Sequence, residues 1–187
     1  MQKTTEGVNQ HGGATNSATI HKIGLSASRR AESLAARIEE GAAGLAAFAQ
    51  GLSDAEWLTP VSATDRRSVG VVVRHVASMY PIEMDLARTV ASGKSALDVT
   101  WEVVAQVNAK HAQDNAQVSK AAALELLGQN SSEAAAAVRA FTDQELDTAT
   151  PVALSFGAPV TAQFIIEDHA MRHSWHHLAA IRKAIGR

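Results

Sequence analysis

The chain has no cysteine. That excludes disulfides, a thiolate nucleophile and a thiolate metal site, and leaves imidazole and carboxylate as the available metal ligands. It is compatible with a reducing compartment, and a cytoplasmic location is expected. Aromatic residues make up 4% of the 187 residues and proline occurs four times, while alanine dominates the apolar share. Strands favour β-branched and aromatic side chains, so this composition points to helices. Neither charge sign prevails: 17 Lys and Arg against 19 Asp and Glu leave a formal net charge of −2. A nucleic-acid or anionic membrane partner would call for a basic stripe, so neither is expected. Long apolar runs are missing as well. Residues 1–26 are polar and rich in Gly, Thr, Asn and Ser. They read as a mobile arm rather than a signal peptide or a membrane span, with His11 and His21 solvated. Residues 27–187 suffice for one domain with a core of useful size.

What is present is a set of helical patterns. Residues 28–50 carry Leu34, Ile38, Leu45 and Phe48 at helical spacing, opposite a charged face. Ser53 and Glu56 then stand at capping-box spacing, as do Thr142 and Glu145 much later. Ser68 opens a second long helix to about Ala91, which Pro81 should kink because it cannot donate to the carbonyl four residues back. Residues 98–117 form a connecting helix, and residues 119–140 another, interrupted near Gly128-Gln129-Asn130. A loop holding Pro151 and Pro159 leads to a last helix from Thr161 to about Ala184. The order repeats itself: helix, capping box, proline-bearing loop, then a Ser- or Thr-capped helix that carries histidine. Two such helical hairpins would set the histidine helices against each other.

Four of the eight histidines, His169, His173, His176 and His177, fall within that last helix. Residues four apart share a helical face, so His173 and His177 can reach one metal ion. They lie on the side of Ile166, Ala170 and Ile181, whereas His169 and His176 turn toward Arg172 and Lys183 and read as a solvated face. On the second helix His75 sits amid Val71, Val72, Met79, Ile82, Leu86 and Val90, all within about 60° of it. An imidazole buried there without a partner would cost about 1–3 kcal/mol, so something must hydrogen-bond or ligate it. In the connecting helix Trp101, Val104, Asn108, His111, Asn115 and Val118 recur at helical spacing. Asn108 and His111 then either line a pocket or form part of a wet face, the second being favoured. Glu83 and Asp168 are candidate acid–base groups by nearness in sequence alone.

Residues 52–57, 68–77, 141–146 and 169–177 together resemble the DinB-like and YfiT-like four-helix bundle family, which is related to the mycothiol-dependent maleylpyruvate isomerases. The resemblance runs from about Leu34 to Gly186. It implies an all-α, DinB-like four-helix bundle with an extra connecting helix. It also implies a divalent metal held by one His of the second helix and an H-x3-H pair of the last, which fall on His75, His173 and His177. His169, His176, Asn108 and His111 are the candidates for the pocket around it. Two positions depart from the family pattern. Arg67 stands where the family often has Trp, leaving the entrance more polar, and Ala180 stands where it often has Gln, removing an outer polar group.

Three imidazoles leave coordination positions open, as catalytic sites do. Zinc suits such ligands best, with nickel and iron as competitors. The resemblance implies a metal-dependent enzyme, a transferase or isomerase acting on a small-molecule substrate. The chain lacks Cys, so the low-molecular-weight thiol would be a cosubstrate. It also implies a homodimer through a bundle face. Two other readings stand beside this one. The first is a non-catalytic metal-binding bundle serving storage or stress response, and the second is a bundle whose histidines only hydrogen-bond internally.

Overall fold

Ser28 starts the first helix by accepting the Ala31 amide on its hydroxyl. It is also the first residue that this computed structural model describes; the described residues are 28–187, and the expected arm with His11 and His21 lies outside them. Helix α1 (Arg29–Gln50) buries Leu34, Ile38 and Leu45 along one face, as their spacing requires. Short helix α2 (Asp54–Trp57) follows, then α3 (Val69–Ala91), α4 (Trp101–Asp114), α5 (Lys120–Arg139) and short α6 (Asp143–Asp147). Strands β1 (Ala149–Pro151) and β2 (Pro159–Thr161) pair antiparallel around a 3-10 turn at Ala153–Ser155. The last helix is built of three pieces end to end: α7 (Ala162–Ile165), a π-helical segment (Ile166–Met171) and α8 (Arg172–Ile185).

Four long rods enclose the core. Helix α1 packs on α5 and α8, while α3 packs on α5 and on all three pieces of the last helix. Ile38, Leu45, Val72, Tyr80, Leu127 and Ile181 fill the centre, each fully buried. The chain is therefore an all-α four-helix bundle, with α4 as the extra connecting helix. Both halves repeat as expected. The capping boxes Ser53–Glu56 and Thr142–Glu145 are complete. Each proline-bearing loop closes with antiparallel pairing, Pro60 with Ser68 in the first half and β1 with β2 in the second. The Ser68 and Thr161 hydroxyls then cap the two histidine helices. The hairpin expectation needs correcting, because the two helices of each half lie diagonally across the bundle. What survives is the consequence that mattered: the two histidine helices face each other.

Pro81 on α3 and Asn130 on α5 meet across the bundle, and the expected interruption of α5 at 128–130 is corrected there. Pro81 leaves the Ala77 carbonyl without its helical donor, yet α3 runs unbroken from Val69 to Ala91. The missing donor comes from α5, where the Asn130 side-chain amide donates to the Ala77 carbonyl at 2.8 Å. Asn130 is thus not a helix breaker, and α5 continues through it. Among the described residues no helix is long and apolar enough to cross a membrane.

Candidate metal centre

His75 projects from α3 between Val72 and Val76 and is 5% exposed. His173 and His177, one turn apart on α8, meet it from the facing helix. One ligand atom from each of the three lies within 4.8 Å of the other two. The ring centres are 5.0 Å (His75–His173), 5.4 Å (His75–His177) and 4.8 Å (His173–His177) apart. The Nε2 atoms of His75 and His173 approach to 3.2 Å. On its other side, His173 Nδ1 lies 2.6 Å from Glu83 Oε1. A carboxylate there accepts the Nδ1 proton and leaves Nε2 a bare lone pair aimed at His75, the tautomer that a metal ligand needs. His75 Nδ1 and Glu83 Oε2 are buried with no hydrogen-bond partner.

Burial, reinforced by the neighbouring histidines, pushes the His75 pKa down to about 2 and that of His177 to about 3. Both rings are therefore neutral near pH 7, the form that coordinates. Neutral, desolvated nitrogens crowded around one point, with little protein hydrogen bonding to offset them, fit a divalent cation in donor type and in number.

The surrounding candidates sort by what α4 and the π segment do. The site opens into a cleft of about 690 Å³, bordered by Met79, Ile82 and Leu86 from α3, Trp101 and Val104 from α4, and Leu154. Asn108 borders this cleft too. His111 stacks edge-on against His75, with ring centres 5.5 Å apart and both ring nitrogens buried without a partner. Burial, and then the cations of Arg74 and Arg67, hold its pKa below the usual histidine value. The wet-face reading of His111 is thereby overturned. His169 is also a correction: it is half-buried and borders the cleft. It belongs to the π segment and stands four residues before His173, the spacing that shares a helical face. Burial lowers its pKa as well. His176 is exposed, at the rim, its ring 5.1 Å from that of His177.

Glu83 is tied to the site more closely than nearness in sequence alone suggests. Its signal was there: a carboxylate on the buried face of α3, beside Met84 and one turn from Tyr80, needs a partner across the interface. Tyr80 supplies a second tie between the histidine helices through its hydroxyl, 2.7 Å from that of Ser174.

The family model of the DinB superfamily matches residues 37–181. The chain belongs to the DinB superfamily. Its structure is also similar to that described as "YfiT from Bacillus subtilis is a probable metal-dependent hydrolase with an unusual four-helix bundle topology". The TM-score is 0.67 at 19% identity, covering 86% of this chain and 91% of that one. At that identity the likeness is one of fold. No curated protein matches significantly.

Proposed function

We propose that this DinB-superfamily chain is a divalent-metal-dependent enzyme whose ion is held by His75, His173 and His177. In this reading it uses a low-molecular-weight thiol to transfer to, or isomerise, a small electrophilic substrate. The observation that carries the reading is the convergence of three imidazole ligand atoms within 4.8 Å of one another beside a cleft large enough for small molecules. A divalent ion in such a site lowers the pKa of a thiol or water beside it and so supplies a nucleophile near neutral pH. Zinc is the first choice for three imidazoles, ahead of nickel and iron.

The chain's own residues have definite parts. Glu83 orients His173 and fixes which ring nitrogen faces the ion. Met79, Ile82 and Leu86 give the cleft an apolar wall that strengthens electrostatic interactions inside it. Asn108 and His169, on the walls of the same cleft, stand where substrate would contact them. The chain has no cysteine, so the thiol enters as a cosubstrate.

A second reading, water as the nucleophile in a hydrolase, is favoured by the fold shared with a protein described as a probable metal-dependent hydrolase. Zinc-, nickel- and iron-loaded protein incubated with a panel of thiols and electrophiles separates these readings. Thiol-dependent loss of electrophile, absent from metal-free protein, is the expected result. Turnover that needs no thiol would replace it with the hydrolase. No turnover across the panel would leave a metal-binding bundle without catalysis.

A further inference from the structure

Arg67 precedes the Ser68 cap of α3, and both its backbone and its side chain are fixed. Its carbonyl accepts the Val61 amide at 3.0 Å. Its guanidinium forms a fork with Asp65, Nε to Oδ1 at 2.9 Å and Nη2 to Oδ2 at 2.7 Å. Asp65 is itself anchored, its amide donating to the Ser62 hydroxyl at 2.8 Å. The Arg67 side chain is 23% exposed and borders the histidine cleft. Its charge is among the causes that depress the His75, His111 and His177 pKa values, which places it beside the site. The fork engages Nε and Nη2 and leaves Nη1 out.

Carboxylates elsewhere on the cleft are already engaged: Glu83 with His173, Asp85 with Arg88 and Asp168 with Arg172. Lys94 and Asp98 also border the cleft, but beyond the other end of α3. A guanidinium clamped in advance loses little side-chain freedom on meeting a ligand, and its planar N–H groups match a carboxylate. An acid entering an apolar cleft without such a partner would be strongly disfavoured.

We infer that Arg67 determines specificity in this cleft by selecting substrates that carry a carboxylate close to the group presented to the histidines. The apolar remainder of such a substrate lies along Met79, Ile82 and Leu86. The place of reaction rests on the metal-enzyme reading above, whereas the selection itself requires no metal. If the Arg67–Asp65 fork only closed the loop around residues 62–67, it would give no preference among ligands.

The test is an NMR titration of the full-length, metal-free chain with octanoate and, separately, its neutral isostere octanamide. Wild type should bind octanoate at least about fivefold more tightly, the gain expected of one charge-assisted contact. Arg67→Gln should equalise the two while keeping the octanamide affinity, which shows that the cleft is intact. Arg67→Lys should keep part of the preference, and Lys94→Gln all of it. Equal binding of both ligands to wild type overturns the inference. So does a preference that survives Arg67→Gln or vanishes in Lys94→Gln. Zinc titration of the same samples keeps the two readings apart: zinc uptake without an octanoate preference sinks only the role of Arg67. An octanoate preference without zinc uptake sinks only the metal reading.

Discussion

Replacing Asn130 by Ala removes the donor that α5 extends to the Ala77 carbonyl. Ala77 is fully buried, so water has no ready access to that oxygen. Leaving a buried carbonyl unsatisfied costs about 1–3 kcal/mol. In a domain of this size that lowers Tm by about 2–4 °C for each kcal/mol. The cause can be isolated, because the carbonyl lacks a helical donor only through Pro81, four residues on. Pro81 is exposed, so Pro81→Ala disturbs little packing and restores an amide proton aimed at Ala77. In that background Asn130→Ala should cost almost nothing, giving a coupling energy of about 1–2 kcal/mol between two residues on different helices. Pro81→Ala alone should stabilise, because Pro is the worst residue for a helix interior. Urea denaturation of the four metal-free proteins, followed by far-UV circular dichroism and checked for a common m value, reads the cycle. If Asn130→Ala costs the same in both backgrounds to within about 0.5 kcal/mol, the carbonyl is not what Asn130 serves.

Gly70→Ala should destabilise by about 1–3 kcal/mol through overpacking, since its Cβ would come within 2.4 Å of the Trp57 indole; an unchanged urea midpoint would contradict this. Glu83→Gln should weaken zinc binding by about 10–100-fold while leaving the fold intact, as loss of an orienting carboxylate does. Competition with a chelating dye measures this, and unaltered affinity would remove Glu83 from the site. In the metal-free protein the folded-state pKa values of His75 and His177, about 2 and about 3 against 6.5 for the free side chain, make stability acid-sensitive. The unfolded chain binds more protons between those values, so this contribution is complete above about pH 6.5 and is lost as pH falls. Between pH 7 and pH 5 the loss is on the order of 2 kcal/mol per ring, which urea midpoints across that range would register. A flat profile would mean that the two imidazoles are not desolvated.

The parts of this molecule that could be read from its residues are those set by local rules. Ser53 with Glu56, Thr142 with Glu145, Ser68 and Thr161 each cap a helix through backbone amides a few residues away. Helical spacing alone put His173 and His177 on one side and His75 inward. The errors arose where a distant partner decides the outcome. Nothing local to Pro81 shows that the donor it removes is replaced by Asn130, 49 positions further on. Asn130 in turn looked like a break because its partner on α3 was unseen. His169 reads as a solvated face when it is grouped with His176, yet four residues before His173 it borders the same cleft. Glu83 needed its contact with His173 before its role could be recognised.

The most direct measurement is the number of zinc ions retained per chain after metal-stripped protein is equilibrated with zinc and passed through a desalting column. Wild type and His176→Ala should each keep about one, while His75→Ala, His173→Ala and His177→Ala should each keep fewer than about 0.2, since a broken ligand set cannot hold the ion. If His176→Ala loses as much zinc as His75→Ala, or if His75→Ala keeps its ion, the three imidazoles are not the ligands.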